Sequence, residues 1–183
     1  MKCTSCNSGA LKPGFLEDLL ACHICDSCGG TLIYLQDYLR WLNSEHSLSE
    51  VDFDLAVNAE DSKKALLCPK TGRLMLKYRI SKNTDHRLDL SPEILAMWLD
   101  KGEWELLKRE GLATKLNAIF TDPWQRKIRE SKARDVFEAL YEEEFGKEEY
   151  AKLREIREWL DKQSKQKSMI AYLLAKDPYS ANR

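Results

Sequence analysis

The sequence lacks a long hydrophobic run and has almost no net charge. Its longest uninterrupted apolar stretch runs from Met169 to Ala175, far short of the ~20 residues that cross a bilayer. The 29 basic and 30 acidic side chains give a formal charge of -1, which provides no overall attraction to nucleic acid. Glu17 and Asp18 interrupt the apolar stretch near the N-terminus, so no export signal is evident. We therefore expect a cytoplasmic protein without a membrane segment.

Recognisable catalytic motifs are also missing. The sequence contains no glycine-rich phosphate loop, no nucleophile next to a base and no carboxylate pair set apart from the general surface charge. Hydrolase and transferase activities therefore have no support, and we expect a protein that is not an enzyme.

Cysteine is the residue type that organises the N-terminus. Without an export signal, six cysteines with paired Cys-x2-Cys spacing indicate metal ligation in a reducing compartment and not disulfides. Cys3 and Cys6 form one pair, and a hairpin-length segment with turn residues Pro13 and Gly14 separates them from the next. Four tetrahedral thiolates suit zinc or a single iron and leave no open position for catalysis. We expect one structural zinc ion, with an iron site for electron transfer as the alternative.

Three cysteines compete for the second pair, and an internal repeat selects two of them. Sliding the chain against itself by 65 to 66 residues brings Cys3 onto Cys68 and Cys22 onto Leu88, in an apolar run that looks like a strand. Cys22 is therefore expected to be a small apolar strand residue, and Gly29 and Gly30 give the backbone after Cys28 the freedom that a metal-wrapping turn needs. The repeat pairs Cys3 with Cys68, Cys6 with Thr71, Cys25 with Ser91 and Cys28 with Ile94. The predicted metal ligands are Cys3, Cys6, Cys25 and Cys28.

These motifs resemble the bacterial zinc-ribbon family that is named after the ribbon of general transcription factor IIB. The first copy, residues 1 to 43, has the four ligands and Gly30, but Leu32-Ile33-Tyr34 stands where the family has Trp-Leu-Asp. The second copy, residues 66 to 110, has the complementary half: it keeps the segment from Trp98 to Glu103 but only Cys68 of the ligands. The resemblance implies a small metal ribbon followed by a helix. It implies no activity.

The second copy must fold without a metal ion. Alternation from Leu74 to Ile80 predicts a half-buried strand with Leu74, Leu76, Tyr78 and Ile80 on one face. The segment Ser91-Pro92-Glu93 predicts a helix start, and Asp100 with Glu103 predicts a capping box. Burial of Trp98 and Trp104 is expected to replace metal binding. Neither Cys68 nor His86 has the neighbours of a reactive group in the sequence, so we expect both to be structural.

The C-terminal segment is predicted to be helical. Asp122-Pro123 begins one helix, and apolar residues from Leu153 to Leu174 follow a seven-residue repeat. The phase of that repeat breaks near Phe145-Gly146, which predicts two antiparallel helices joined by a turn. The apolar stripe leaves two options open: self-association through the C-terminal helices, or packing of this arm on its own first helix.

The expected fold class is α+β, mostly α by residue count: an N-terminal zinc ribbon, a degenerate metal-free ribbon-like β-hairpin with helices, and a C-terminal helical hairpin. The expected divisions are a zinc ribbon with a helix (1–44), an acidic linker (45–65), a degenerate repeat with a helix (66–112) and the helical hairpin (113–183). The acids of the linker are Glu45, Glu50, Asp52, Asp54, Glu60 and Asp61, with no lysine or arginine between residues 45 and 61.

Two binding functions fit this organisation. The first is a non-enzymatic adaptor that docks onto another macromolecule, with an unidentified protein as the expected partner. The second is a nucleic-acid-binding protein, because residues 123–135 carry five basic and two acidic side chains. Trp124 or Tyr78 would then be available to stack on bases. The cations in question are Arg126, Lys127, Arg129, Lys132 and Arg134.

Overall fold

The computed structural model describes residues 1–44, 48 and 59–179. These described residues form six strands: β1 (Leu11–Phe15), β2 (Ala21–Cys25), β3 (Thr31–Tyr34), β4 (Leu76–Arg79), β5 (Arg87–Ser91) and β6 (Ala96–Leu99). The helices are α1 (Leu35–Leu42), α2 (Glu103–Arg109), α3 (Leu116–Ile119), α4 (Asp122–Phe145), α5 (Lys147–Asp161) and α6 (Gln166–Leu174), with a 3-10 turn at Ala113–Lys115. More residues are helical than extended, so the predicted α+β class is confirmed.

All six strands belong to one antiparallel sheet, in the order β1-β2-β3-β6-β5-β4. Each copy of the repeat supplies three consecutive strands, and the copies join where β3 pairs with β6. The strand order is therefore symmetric: from either edge of the sheet inward, the strands are the first, second and third strand of one copy. Two small hairpins that could not bury a face alone thereby share one larger sheet.

The positions of the strands confirm the internal repeat. The alignment that brings Cys22 onto Leu88 carries the whole of β2, Ala21–Cys25, onto β5, Arg87–Ser91. The short bridge ahead of each hairpin is also repeated, between Lys2 and Ala10 in copy 1 and between Leu67 and Leu74 in copy 2. Both copies end in a helix, α1 and α2.

The predicted helix start at Ser91 is wrong. Ser91 is the last residue of β5 and pairs with Ala96 across a turn at residues 92–95. Pairing of β5 with β6 satisfies backbone groups that a helical turn would have satisfied, and it buries Ala96 and Met97 completely. The sheet therefore decides the conformation of a segment whose local sequence favours a helix.

The predicted strand in copy 2 is present, but its inward face differs from the alternation. Leu74 and Leu76 are 55% and 45% exposed, whereas Met75 is 3% exposed and Ile80 is fully buried. Ladder pairing begins only at Leu76, and the Met75 backbone N–H donates to the Leu66 carbonyl instead. The chain ahead of β4 thus turns Met75 inward.

The sheet carries an apolar cluster that includes residues of α1 and α2, the helices that end the two copies. Trp41 on α1 packs edge-on against Trp104 on α2, with ring centroids 5.8 Å apart. The Tyr38 hydroxyl donates to the Ala113 carbonyl and accepts from the Leu116 backbone N–H, which ties the segment after α2 to α1. A separate cluster contains Trp98 together with Cys3 and Cys25. Trp98 and Trp104 are both buried, as predicted for a metal-free copy.

The chain divides into two compact units, Met1–Ser131 and Lys132–Arg183. Both copies of the repeat lie in the first unit and share its sheet, together with α3 and the start of α4. The finer predicted boundaries, after residues 44, 65 and 112, remain predictions. Of the predicted linker, Glu60 and Asp61 are described; Glu45, Glu50, Asp52 and Asp54 lie outside the described residues.

The C-terminal helices break where the sequence predicted one break and also at a second place. Helix α4 ends at Phe145 and α5 begins at Lys147, with Gly146 between them at φ 86°, consistent with the predicted hairpin. The seven-residue repeat does not continue as one helix, because α5 ends at Asp161 and α6 begins at Gln166. The intervening residues 162–165 are all polar and offer no apolar side chain to hold a further turn. Among the described residues, no helix is both long and apolar enough to cross a membrane.

Candidate metal centre

The first knuckle is a tight turn that wraps around Cys3 and Cys6. The Cys3 backbone N–H donates to the Gly9 carbonyl, and the Gly9 N–H donates to the Cys6 sulfur over 3.3 Å. A Cβ at Gly9 would lie only 2.5 Å from the Cys25 sulfur. Glycine is therefore needed here because the backbone passes directly against a thiol of the other knuckle.

The second knuckle follows the end of β2. The backbone N–H groups of Ser27 and Cys28 donate to the Cys25 sulfur over 3.4 and 3.5 Å. Such N–H···S contacts stabilise a thiolate. The turn closes through Gly29, whose φ of 72° is left-handed, and then leads directly into β3.

The four sulfurs have the geometry of a tetrahedral thiolate site. Cys3 Sγ lies 3.6 Å from Cys28 Sγ, and Cys6 Sγ lies 3.7 Å from Cys25 Sγ. All four lie within 4.8 Å of one another. Tetrahedral ligands at the usual Zn–S distance of ~2.3 Å stand ~3.8 Å apart, so the arrangement fits one zinc ion held by these four cysteines. Four protein ligands complete the coordination, and the ion would be structural.

The surroundings of the thiols shift their pKa values in different directions. A hydrogen bond from the Ser8 side chain, with others from the backbone N–H groups of Gly9 and Ser8, lowers the pKa of Cys6 to about 5. Burial raises the pKa of Cys3 and that of Cys28, where nearby thiols add to the effect. Close thiolates repel one another, and a divalent cation among them offsets both that repulsion and the burial.

Cys22 stands apart from this site. It lies on β2, 4% exposed, in the apolar cluster with Ile33 and Trp41. Burial raises the pKa of the Cys22 thiol to about 11, so it stays neutral. The prediction that Cys22 is an apolar strand residue is confirmed.

The second copy places a hydrogen-bonded cluster where the first has its metal site. Burial alone would raise the pKa of the Cys68 thiol, but hydrogen bonds from the side chains of Ser91 and Thr71, together with the backbone N–H groups of Thr71 and Lys70, outweigh it, so the pKa is lowered. These are the residues that the repeat aligns with Cys3, Cys25 and Cys6. Ile94, the counterpart of Cys28, packs against the same cluster. Hydroxyl groups and an apolar side chain have thus replaced three ligands.

A different group of potential ligands in copy 2 was missed by the sequence analysis. Asp61, His86 and Glu103 each offer one potential ligand atom, and these three atoms lie within 4.8 Å of one another. Sequence reasoning had assigned Glu103 to a helix cap, and it does accept the Asp100 backbone N–H at 2.8 Å. It had assigned His86 a structural role. No spacing motif links the three, because they lie far apart along the chain, in three separate segments.

The predicted nucleic-acid residues all lie on α4; Arg126, Lys127, Arg129 and Arg134 are exposed, and Lys132 is partly exposed. The nominated stacking residues are held in place: the Trp124 indole N–H donates to the Ile80 carbonyl, and the Tyr78 ring packs edge-on against Phe120 at 5.3 Å. Both aromatic rings are half-buried against the core. A role in base stacking would require them to leave these contacts.

Comparison with known proteins identifies one part of the chain. No curated protein and no solved structure gives a match. Residues 2–44 match the family model described as "Transcription factor zinc-finger", a zinc-ribbon family. The match covers the two knuckles, the hairpin and α1, and includes all four cysteines of the tetrahedral site. The N-terminal segment is therefore a zinc ribbon of the kind that this family model describes.

Proposed function

We propose that the protein is a non-enzymatic adaptor of the cytoplasm, in which a structural zinc ion shapes one end of the chain and the C-terminal helices bind a protein partner. The observation that carries the proposal is the large number of apolar and aromatic side chains exposed on these helices. Exposed apolar side chains that form a contiguous surface commonly mark interaction sites.

Three aromatic residues form a ladder along α4. Phe137, Tyr141 and Phe145 follow one another at intervals of four, so they lie on one helix face. Their rings stack with centroids 6.5 and 5.6 Å apart, and they are 57%, 38% and 41% exposed. Rigid aromatic side chains supply much of the binding energy at protein interfaces.

Helix α5 adds a second apolar surface. Leu153, Ile156 and Trp159 recur at intervals of three and are 47%, 48% and 52% exposed. Charged side chains lie beside this surface; the Arg154 guanidinium, for example, is 5.9 Å from the Tyr150 ring centroid. An apolar stripe with charged neighbours is the pattern of a helix that docks onto another surface.

The zinc site supports a binding role more than a catalytic one. Its four thiolates fill a tetrahedral coordination sphere, whereas catalytic zinc keeps one position for water or substrate. The ion then contributes shape and stability to a short segment.

Affinity capture with a paired control tests the adaptor proposal. The bait is the full chain, and the disrupting variant is Phe137→Ser with Tyr141→Ser. The control variant is Ala139→Ser with Glu143→Ser, which changes the same helix away from the ladder. We expect a stoichiometric protein that wild type and control retain and the disrupting variant loses. Light scattering on the bait alone identifies the case in which that protein is a second copy of the chain.

A result in which all three baits retain the same proteins, or none retains any, would contradict docking through the ladder. Unchanged zinc content and helicity of the disrupting variant exclude misfolding as the reason for a loss.

Nucleic-acid binding is the second candidate, supported by four solvent-accessible cations within three turns of α4. Contacts with phosphates release counterions, so binding would weaken steeply with salt. Retention on single-stranded and duplex DNA and RNA at low salt, lost in Arg126→Ser with Arg129→Ser, would favour it. Absence of retention at low salt would eliminate it.

A further inference from the structure

The cluster in copy 2 draws its members from three separate segments. Asp61 precedes Cys68, the counterpart of Cys3 in copy 2. His86 lies just ahead of β5, and Glu103 is the first residue of α2. A carboxylate oxygen of Asp61, an imidazole nitrogen of His86 and a carboxylate oxygen of Glu103 lie within 4.8 Å of one another. This spacing allows all three to contact one ion.

Several buried polar atoms at this place have no hydrogen-bond partner among the described residues. Glu103 is 1% exposed; its Oε2 accepts the Asp100 N–H, but its Oε1 has no hydrogen bond and faces His86 Nδ1 at 3.5 Å. Asp61 Oδ1 and His86 Nδ1 are also buried without a hydrogen bond. Buried polar atoms are normally satisfied, so a group of unsatisfied ones in one place indicates a missing ligand.

Asp89 adds a third carboxylate to this cluster. Asp89 is 1% exposed, and Lys77 Nζ donates to its Oδ2 at 2.8 Å, but no hydrogen bond to its Oδ1 is found in the part of the chain that the structure describes. Lys77 also donates to the Ser62 carbonyl at 2.6 Å, so its ammonium is already shared. Several buried acids that face one another with one shared ammonium are costly without a further positive charge.

Electrostatics agree with this view of the cluster. Burial, with repulsion from Asp100, Asp61 and Asp89, raises the pKa of Glu103 to about 9. Burial, with repulsion from Asp100 and Asp61, likewise raises the pKa of Asp89 to about 6 despite the Lys77 ion pair. The site therefore takes up positive charge, either as protons or as a cation.

We propose that Asp61, His86 and Glu103 bind a divalent transition-metal ion, with Asp89 as a neighbouring carboxylate. Imidazole with carboxylates is a ligand set for zinc or manganese, and it contains no thiol, so the site differs in kind from the four-cysteine centre. The ion would fix the segment before copy 2, through Asp61, to the start of α2. Copy 2 would then have lost the zinc site of the ribbon and acquired another on its helix side.

The test uses the full chain with its cysteine site filled by zinc. Mn²⁺ and Zn²⁺ are the probes, added to protein dialysed against a weak chelator, with calorimetry for both ions and electron paramagnetic resonance for Mn²⁺. We expect one further ion per chain. Glu103→Gln and His86→Gln should each lower its affinity by at least about tenfold, the loss found even when groups that only support a metal ligand are changed. Glu105→Gln, at an exposed position on the same helix, should bind as wild type does.

Thermal unfolding separates metal binding from a purely structural role. Without added ion, Glu103→Gln should unfold at or above the wild-type temperature, because it removes a buried ionisable group. Added ion should raise the unfolding temperature of wild type and of Glu105→Gln but not of Glu103→Gln.

Two results would overturn the proposal. One is wild-type protein that unfolds cooperatively and binds neither probe, which would mean that protons alone neutralise the cluster. The other is equal binding by Glu103→Gln and wild type, which would place the ion on surface acids.

Discussion

Leu32 on β3 lies directly opposite Trp98 on β6, and the two residues are also each other's counterparts in the internal repeat. Thr31 faces Leu99, and Ile33 faces Met97, so the pairing is symmetric about this point. A local two-fold relationship between the copies thus passes through the centre of the sheet. The copy that keeps the metal ligands and the copy that keeps the tryptophan meet at their equivalent strands.

The Trp98 ring also explains why glycine is needed after the second knuckle. A Cβ at Gly30 would lie 2.4 Å from the Trp98 ring. We expect Gly30→Ala to lower the free energy of unfolding by about 1–3 kcal/mol, as is typical when a packed core must accommodate extra atoms. Denaturant unfolding measures the change.

The double variant Gly30→Ala with Trp98→Leu provides the control. Leucine removes the ring that the new methyl group would meet, so the combined loss should be smaller than the sum of the two single losses. Simple additivity, or an undisturbed Gly30→Ala protein, would contradict this account of the contact.

A buried ion pair attaches the first hairpin to α2. Glu17 Oε1 accepts the Trp104 indole N–H at 2.7 Å and lies 2.9 Å from Lys108 Nζ. The side chains of Lys108 and Glu17 are only 8% and 5% exposed. Glu17→Ala would remove a buried carboxylate that bonds both the Lys108 ammonium and the Trp104 indole, and we expect a loss of about 3–5 kcal/mol in unfolding free energy.

Arg40→Ala offers the comparison, because Arg40 makes an exposed ion pair with Asp37 at 2.9 Å, three residues away on α1. Its removal should cost less than about 1 kcal/mol. Equal effects of the two substitutions in the same denaturant experiment would show that burial of the Glu17 pair adds nothing.

Stability should fall with rising pH in protein that carries zinc at the cysteines only. The pKa of Glu103 is raised from 4.5 to about 9 in the folded state, so between these values the folded protein holds a proton that the unfolded chain has released. Unfolding free energy therefore decreases as pH rises through this window. Above pH 6, Asp89, with its pKa of about 6, adds little to the slope.

Unfolding midpoints from pH 6 to 9 check this expectation. Glu103→Gln should flatten the decline, and Glu105→Gln should leave it unchanged. A decline of the same slope in Glu103→Gln would assign the effect to other groups.

The parts of the molecule that could be predicted from sequence are those set by local pattern. Cys-x2-Cys spacing and the repeat identified the cysteine site, and the phase change near Gly146 located the end of α4. The segment from Ser91 to Glu93 was predicted wrongly, because its helix-start residues are overridden by pairing between β5 and β6.

Relations that form only in the folded chain could not be predicted. Pairing of β3 with β6 depends on which strand edges meet in the folded chain, and no sequence pattern specifies that choice. Asp61, His86 and Glu103 meet because the sheet and α2 bring distant segments together, and each taken alone resembles an ordinary polar residue. The exposure of Leu74 and the burial of Met75 likewise depend on a hydrogen bond to Leu66 that strand alternation does not reveal.

Zinc content of the purified protein tests the central claim most directly, together with the fold of three chains: wild type, Cys22→Ala and Cys25→Ser. Elemental analysis and native mass spectrometry should find one zinc at the cysteine site of colourless wild type and of Cys22→Ala. Cys25→Ser should lose that ion, and amide exchange should show the hairpin of β1 and β2 unprotected, because so short a segment depends on its metal. A metal-free wild type, or a Cys25→Ser protein with wild-type protection in this hairpin, would contradict the account.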